Sequence, residues 1–161
     1  MRTVFIEDRT EIETIINACR TCFLGLSDSD NQPYVIPMNF GFSGDTIYLH
    51  SGQFGRKWEI MKQNPKACIT FVLGDELAYQ DEHVACSWRV KSKSVIAEGN
   101  IEFIEDFEEK ERILNILMKQ YSDREFKFNA PAVKNVGVYK MKIMKLQAKE
   151  FGAKAITPWN S

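Results

Sequence analysis

The sequence predicts a mainly β fold, a closed antiparallel β-barrel with peripheral helices, and three observations predict it. Short stretches of alternating apolar and polar residues recur along most of the chain, as at Cys22, Leu24 and Leu26 and again at Tyr139, Met141 and Ile143. Polar turn clusters, among them Asp28-Ser29-Asp30-Asn31 and Ser43-Gly44-Asp45, separate these stretches. Helical periodicity appears in only three places, without the strand–helix–strand alternation of a parallel sheet.

In chain order, Thr10-Glu11-Ile12-Glu13 has the form of a capping box, with Thr10 as N-cap and Glu13 reaching back. Ile12, Ile15, Ile16 and Cys19 then make an apolar stripe, which predicts a helix over 10–20. Strands follow over 21–27 and 32–42 and return over 46–50, joined by polar turns as a three-stranded meander. A short helix over 54–63 interrupts the sheet, and Asn64-Pro65 ends it because proline cannot continue the ladder. Further strands are predicted over 66–73, 83–99 and 100–104, with Gly99 marking a bulge or bend. The clearest helix is 107–121, whose apolar face is Phe107, Ile113, Leu114, Leu117, Met118 and Tyr121 and whose acidic residues crowd its first half. Residues 122–131 read as a loop, 133–151 as a final long strand, and 152–161 as a tail.

A chain of 161 residues with 44% apolar and 27% charged residues suits one domain spanning 1–161. A net charge of −1 argues against a nucleic-acid-binding surface but leaves room for a local anion site. Met1 to Ile6 is too short for the apolar core of a signal peptide, and no apolar run reaches membrane-spanning length, so a cytoplasmic protein is expected. The four cysteines then fit reduced thiols. Cys19-Arg20-Thr21-Cys22 lacks both the context of a redox motif and the second pair of a zinc site. It reads as two small buried hydrophobes at a helix-to-strand join, and no metal site is expected.

The stretch with chemistry in it runs from Ile47 to Phe71. A short strand, Ile47 to His50, enters a loop containing Ser51, Gly52 and Gly55, and Arg56-Lys57 open the helix carrying Trp58 and Met61. Strand, glycine loop and basic helix start form an anion site: free N–H groups and the positive end of the helix dipole point the same way. Arg56 can fork onto a phosphate, and Lys57 adds a compact charge. A solvated basic pair on an ordinary turn is the competing reading.

The run His50-Ser51-Gly52…Gly55-Arg56-Lys57…Asn64-Pro65-Lys66-Ala67-Cys68-Ile69-Thr70-Phe71 resembles the flavin-binding core of the pyridoxamine 5′-phosphate oxidase-like split-barrel family, and more narrowly its branch of 5-nitroimidazole-resistance proteins. The resemblance covers residues 5–149 and implies a six-stranded Greek-key split barrel that dimerises with FMN in the dimer groove, FAD being the alternative. It assigns Val35, Ile36, Pro37, Met38 and Asn39 to the isoalloxazine ring, Tyr48, Leu49, His50 and Ser51 to the strand end beside it, and Gly55, Arg56 and Lys57 to the phosphate. Ser94 matches a polar position touching the flavin in relatives. The family's oxidase branch has a lysine where Asn39 stands, so the ring contact differs here. Independently, Pro37 cannot donate a ladder hydrogen bond and suits an edge strand.

His50 is one of two histidines, either an exposed strand-end residue or, as the resemblance implies, one facing the substrate. There it would donate a proton or stabilise developing negative charge. Trp159 beside Pro158 is either an exposed tail residue or an aromatic docked over the flavin from the partner subunit. True pyridoxamine-phosphate oxidase activity is not expected, because 156–161 contain no arginine for a substrate phosphate. The expected function is a flavin-dependent oxidoreductase, a nitroreductase in type, acting on a small organic acceptor. The alternative is a flavin- or haem-binding sensor, with His50 and His83 the only imidazoles for haem.

Overall fold

The computed structural model describes residues 2–153. Within them the chain forms β1 (Arg2–Ile6), α1 (Arg9–Ala18), β2 (Cys22–Ser27), β3 (Pro33–Met38), β4 (Phe40–Ser43) and β5 (Thr46–Gly52). Then come α2 (Arg56–Gln63), β6 (Lys66–Ala78), a 3-10 turn (Ala85–Ser87), β7 (Arg89–Ile104), α3 (Phe107–Lys119), α4 (Ala130–Asn135) and β8 (Val136–Ala153). The strands join in one sheet in the order β3-β2-β6-β7-β8-β5-β4, and β1 pairs with β8. This is the predicted mainly β class, an antiparallel split barrel with peripheral helices.

Four details correct the sequence reading. The strand expected over 32–42 breaks at Asn39 into β3, which pairs with β2, and β4, which pairs with β5. These two sit at opposite ends of the sheet order, so the segment is not the middle of a meander, and the pairing stays open between them. Residues 89–104 form one uninterrupted strand, and with β1 and the split at Asn39 the count is eight, not six. Gly99 is no bend: a Cβ there would strike the Lys142 carbonyl and lie 2.8 Å from Met141 Cγ, so the glycine permits close approach to β8. Finally, α4 takes the end of the expected loop and the first three residues of the expected last strand, so β8 begins at Val136.

Two compact units can be distinguished. One comprises residues up to Cys19, Phe71–Val95 and the chain from Gln147. In it α1 buries Ile12, Ile15 and Ile16, the predicted stripe. Its N-cap is Asp8, not Thr10: the Asp8 carboxylate accepts from the amides of Thr10 (2.7 Å) and Glu11 (3.3 Å). Glu13, expected to reach back to the cap, pairs instead with Arg9 at 2.7 Å.

The other unit comprises Arg20–Thr70 and Ile96–Leu146. Its core gathers Tyr48, Ile104, Ile113, Leu114, Leu117, Val133 and Val138, where α3 lies against β5 and β8. Asp106 caps α3 by accepting from the Glu109 amide at 2.8 Å, and Glu108 and Glu109 sit in its first turn, where the dipole favours them. Among the described residues, every expected site residue except Ser94 belongs to this unit.

Candidate functional site

The phosphate-loop geometry begins at Gly55, the N-cap of α2. Its φ of 96° lies in the left-handed region, which a side chain would strain. No side chain caps this helix, so the first-turn amides at Arg56 and Lys57 remain for a ligand. The loop ahead of it is tied down by Gln53, whose Nε2 donates to the Lys134 carbonyl (2.8 Å) and the Val136 carbonyl (3.1 Å).

The helix itself is fixed by Trp58. The indole meets Phe103 edge-on at 4.6 Å between centroids and lies over Gly137, where a Cβ would fall 2.7 Å from Trp58 Cη2. At the far end Asn64 Nδ2 donates to the Ser27 carbonyl at 3.0 Å, closing α2 onto the β2–β3 hairpin. The buried face of α2 is therefore Trp58, Ile60 and Met61, as the spacing predicts.

Arg56 reaches toward that hairpin as well. Its guanidinium stands 4.8 Å above the centre of the Tyr34 ring and 3.7 Å from Asp28 Oδ2. The other Asp28 oxygen accepts from the amides of Asp30 (3.1 Å) and Gln32 (2.8 Å), so the carboxylate is held by its own turn. Arg56 keeps half its side chain exposed, available to an anion. Sequence reasoning did not find Asp28, Tyr34 or Gln53, because their contacts join distant parts of the chain.

Strand β3 ends the sheet order and pairs only with β2, the edge position that Pro37 predicts. Its alternation divides the five residues assigned to the ring. Val35 and Pro37, exposed, share the outward face with Phe23, while Ile36 and Met38 turn the other way and are half-buried. Val35 lines a groove of about 800 Å³ on that outward face, with Phe23, Cys68, Thr70, Asn100 and Met144.

Asn39, at the break after β3, meets His50 in a second cavity of about 210 Å³ whose other walls are Leu117, Met118 and Tyr121 of the α3 end. From Tyr34, under Arg56, to Asn39, beside His50, the chain advances five residues, roughly 16 Å at strand rise. Solvent reaches the His50 imidazole, yet its packed surroundings desolvate it and push its pKa below the ordinary value. His50 is therefore neutral at pH 7.

Tyr48 and Leu49 are buried, with partners on both strand edges: Tyr48 faces Gly41 and Lys140, and Leu49 faces Phe40 and Tyr139. Pairing with β4 stops at Leu49, so His50 and Ser51 have β8 on one side only. Beneath Ser51, the fully buried Tyr139 hydroxyl has its pKa pushed up to about 12 by burial. Ser94 lies half-buried in β7, within the other unit, and Trp159 lies outside the described residues.

Cys19 and Cys22 are buried; Cys19 donates to the Val72 carbonyl at 3.4 Å, and burial raises its pKa. Among the described residues no group of three or more His, Cys, Asp or Glu side chains could hold a metal ion. His83 is exposed, 3.3 Å from Glu82. No helix among the described residues is long and apolar enough to cross a membrane.

Residues 8–150 match the family model described as pyridoxamine 5′-phosphate oxidase. No curated protein matches the chain. Among solved structures, a candidate 5-nitroimidazole antibiotic resistance protein from Bacteroides thetaiotaomicron is 45% identical, with a TM-score of 0.85 over 93% of this chain and 88% of that one. A flavocytochrome from Azotobacter vinelandii shares the fold at 20% identity, with a TM-score of 0.79 over 97% of this chain and 73% of its own. An FAD- and heme-binding protein from Mycobacterium smegmatis shares it at 13% identity, with a TM-score of 0.83 over 95% and 76%.

Proposed function

Because the chain belongs to the pyridoxamine 5′-phosphate oxidase family, on the branch of the 5-nitroimidazole-resistance relative, we propose that it is a flavin-dependent oxidoreductase acting on a small organic acceptor, a nitroheterocycle by preference. FMN is the proposed cofactor. The observation that carries the reading is the spacing along β3: a basic, uncapped helix start at one end and a histidine-lined cavity roughly 16 Å away at the other. Riboflavin phosphate has that span and that polarity, with an anion at one end and a flat ring at the other.

The residues present fit such a group. Arg56 and the first-turn amides of α2 bind the phosphate, and Lys57 adds charge. The free edge of β3, from Val35 through Ile36, Pro37 and Met38 to Asn39, meets the polar edge of the ring with main-chain groups. Tyr48 and Leu49 support the strand end from within the core, and His50 and Ser51 border the ring. By family resemblance Ser94 and Trp159 complete the contacts.

A bound flavin would supply transfer of an electron pair from a donor such as a nicotinamide to the acceptor. The protein orients both. His50, neutral at pH 7, presents a ring N–H to negative charge developing on the acceptor. The outward face of β2, β3 and β6 with the adjoining part of β8, carrying Phe23 (43% exposed), Val35 (64%) and Met144 (70%), is the proposed dimer surface.

The test is an absorption spectrum of the purified protein, mass spectrometry of the released ligand, and anaerobic addition of NAD(P)H. A yellow protein releasing FMN and bleached by the donor supports the proposal. A colourless protein that takes up no flavin refutes it, and a yellow protein that no nicotinamide donor bleaches reduces it to a binding module.

A further inference from the structure

We propose that the C-terminal turn of α3 selects the acceptor, with Met118 setting the size limit of the cavity beside His50. This rests on the reading of His50 as the residue facing the acceptor, and it goes beyond it in naming the opposite wall. The cavity of about 210 Å³ is bounded by Asn39, His50, Leu117, Met118 and Tyr121. That volume is below the range of pockets for drug-sized ligands and fits one small ring with short substituents.

The lining also defines polarity. None of the five side chains carries a formal charge at pH 7, so a neutral ligand is favoured over an ion, whose desolvation nothing there offsets. Asn39 and His50 offer an amide and an imidazole on one side. Leu117 and Met118 are apolar on the other. Tyr121 contributes its ring only, because its hydroxyl is engaged: it accepts from the Phe40 amide (2.8 Å) and donates to the Arg20 carbonyl (3.0 Å).

The wall is held in place. The two Tyr121 bonds tie the end of α3 to the start of β4 and to Arg20. One turn earlier, Leu117 packs against Gly41 so closely that a Cβ there would stand 2.9 Å from Leu117 Cα. Helix and strand thus meet backbone to backbone, and the cavity keeps its shape without ligand. Leu117 is 2% exposed and belongs to the core, whereas Met118 is half-buried, unbranched and adaptable. Met118 is therefore the position at which cavity size changes without emptying the core.

The test uses the purified protein with the cofactor it carries and no electron donor, so that nothing turns over. Binding of 2-methyl-5-nitroimidazole and of its N1-benzyl derivative is measured by calorimetry for wild type, Met118→Ala and Met118→Trp. The flavin content and melting temperature of each sample are recorded. Met118→Trp is expected to weaken the small probe at least about tenfold, and Met118→Ala to tighten the benzyl probe by a similar factor, the range for gain or loss of a few carbons in a pocket. Equal affinities in all three folded proteins, or no binding of the small probe to flavin-loaded wild type, would overturn the proposal. Met118-dependent binding to a protein without flavin would uphold the cavity and sink the oxidoreductase reading; flavin-loaded variants with unchanged binding would do the reverse.

Discussion

Replacing Arg56 by alanine separates phosphate recognition from ring recognition, and the structure sets the expected size. In the ligand-free chain the guanidinium is shared between Asp28 at 3.7 Å and the Tyr34 ring at 4.8 Å. The ion pair is half-exposed on the arginine side, so it contributes about 0–1 kcal/mol, and the cation–π contact adds a similar amount. Unfolding of the flavin-free variant should therefore be easier by only about 1 kcal/mol. A charge-assisted bond to phosphate contributes about 1.5–3 kcal/mol. Subtracting the Asp28 interaction it displaces, taken at its midpoint of about 0.5 kcal/mol, leaves about 1–2.5 kcal/mol, roughly a 5- to 70-fold weaker FMN complex.

Fluorescence-quenching titration of flavin-stripped protein with FMN and with riboflavin measures both numbers side by side. Riboflavin, which has no phosphate, should bind Arg56→Ala as it binds wild type. Asp28→Asn provides the converse control: an asparagine oxygen still accepts from the Asp30 and Gln32 amides, while the competing charge is gone, so FMN should bind more tightly. If Arg56→Ala weakened FMN and riboflavin equally, or neither, the assignment of the phosphate to the start of α2 would be wrong.

Three further outcomes are expected. Gly137→Ala places a methyl group on the Trp58 ring, so it should destabilise the fold by about 1–3 kcal/mol and loosen FMN along with it, measured by urea unfolding and flavin titration. Tyr121→Phe removes the bonds to Phe40 and Arg20 and should cost about 1–2 kcal/mol in the same unfolding assay; an unchanged midpoint would contradict the proposed anchoring of α3. For His50 the folded pKa is depressed, so the folded state binds fewer protons than the unfolded one just below pH 6.5. Its contribution to stability is complete above that value and declines as pH falls through the lowered pKa. Turnover that uses the neutral imidazole should be level from pH 7 upward and fall on the acid side, and His50→Gln should flatten the acid limb; loss of rate as pH rises through the lowered pKa would instead require the imidazolium.

The parts legible in the sequence are those set by local chemistry. Gly55 before Arg56-Lys57, and Asn64-Pro65 after Met61, bracket α2 as observed because backbone freedom and proline restriction act within a few residues. Where two local signals compete, the wrong one can be chosen: Asp8 and Thr10 both precede the Ile12 stripe, the Asp8 carboxylate takes the cap, and Glu13 pairs with Arg9. The signal for α4 was present, since Asn129 accepts from the Ala132 amide at 2.8 Å and Pro131 stands in the first turn, but an asparagine two residues before a proline reads equally as a loop.

The break at Asn39 has no local marker. Phe40 is fully buried and its amide is received by the Tyr121 hydroxyl, eighty-one positions away, so the turn from β3 into β4 is fixed by tertiary contact. That break gives the site its reach. A single continuous strand would keep Asn39 in register with β2; the bend instead sends the chain to the opposite end of the sheet order and brings Asn39 beside His50. The basic helix start could be read from a dozen residues. The cavity that faces it from the other end of β3 depends on α3, and no pattern within either segment records the other.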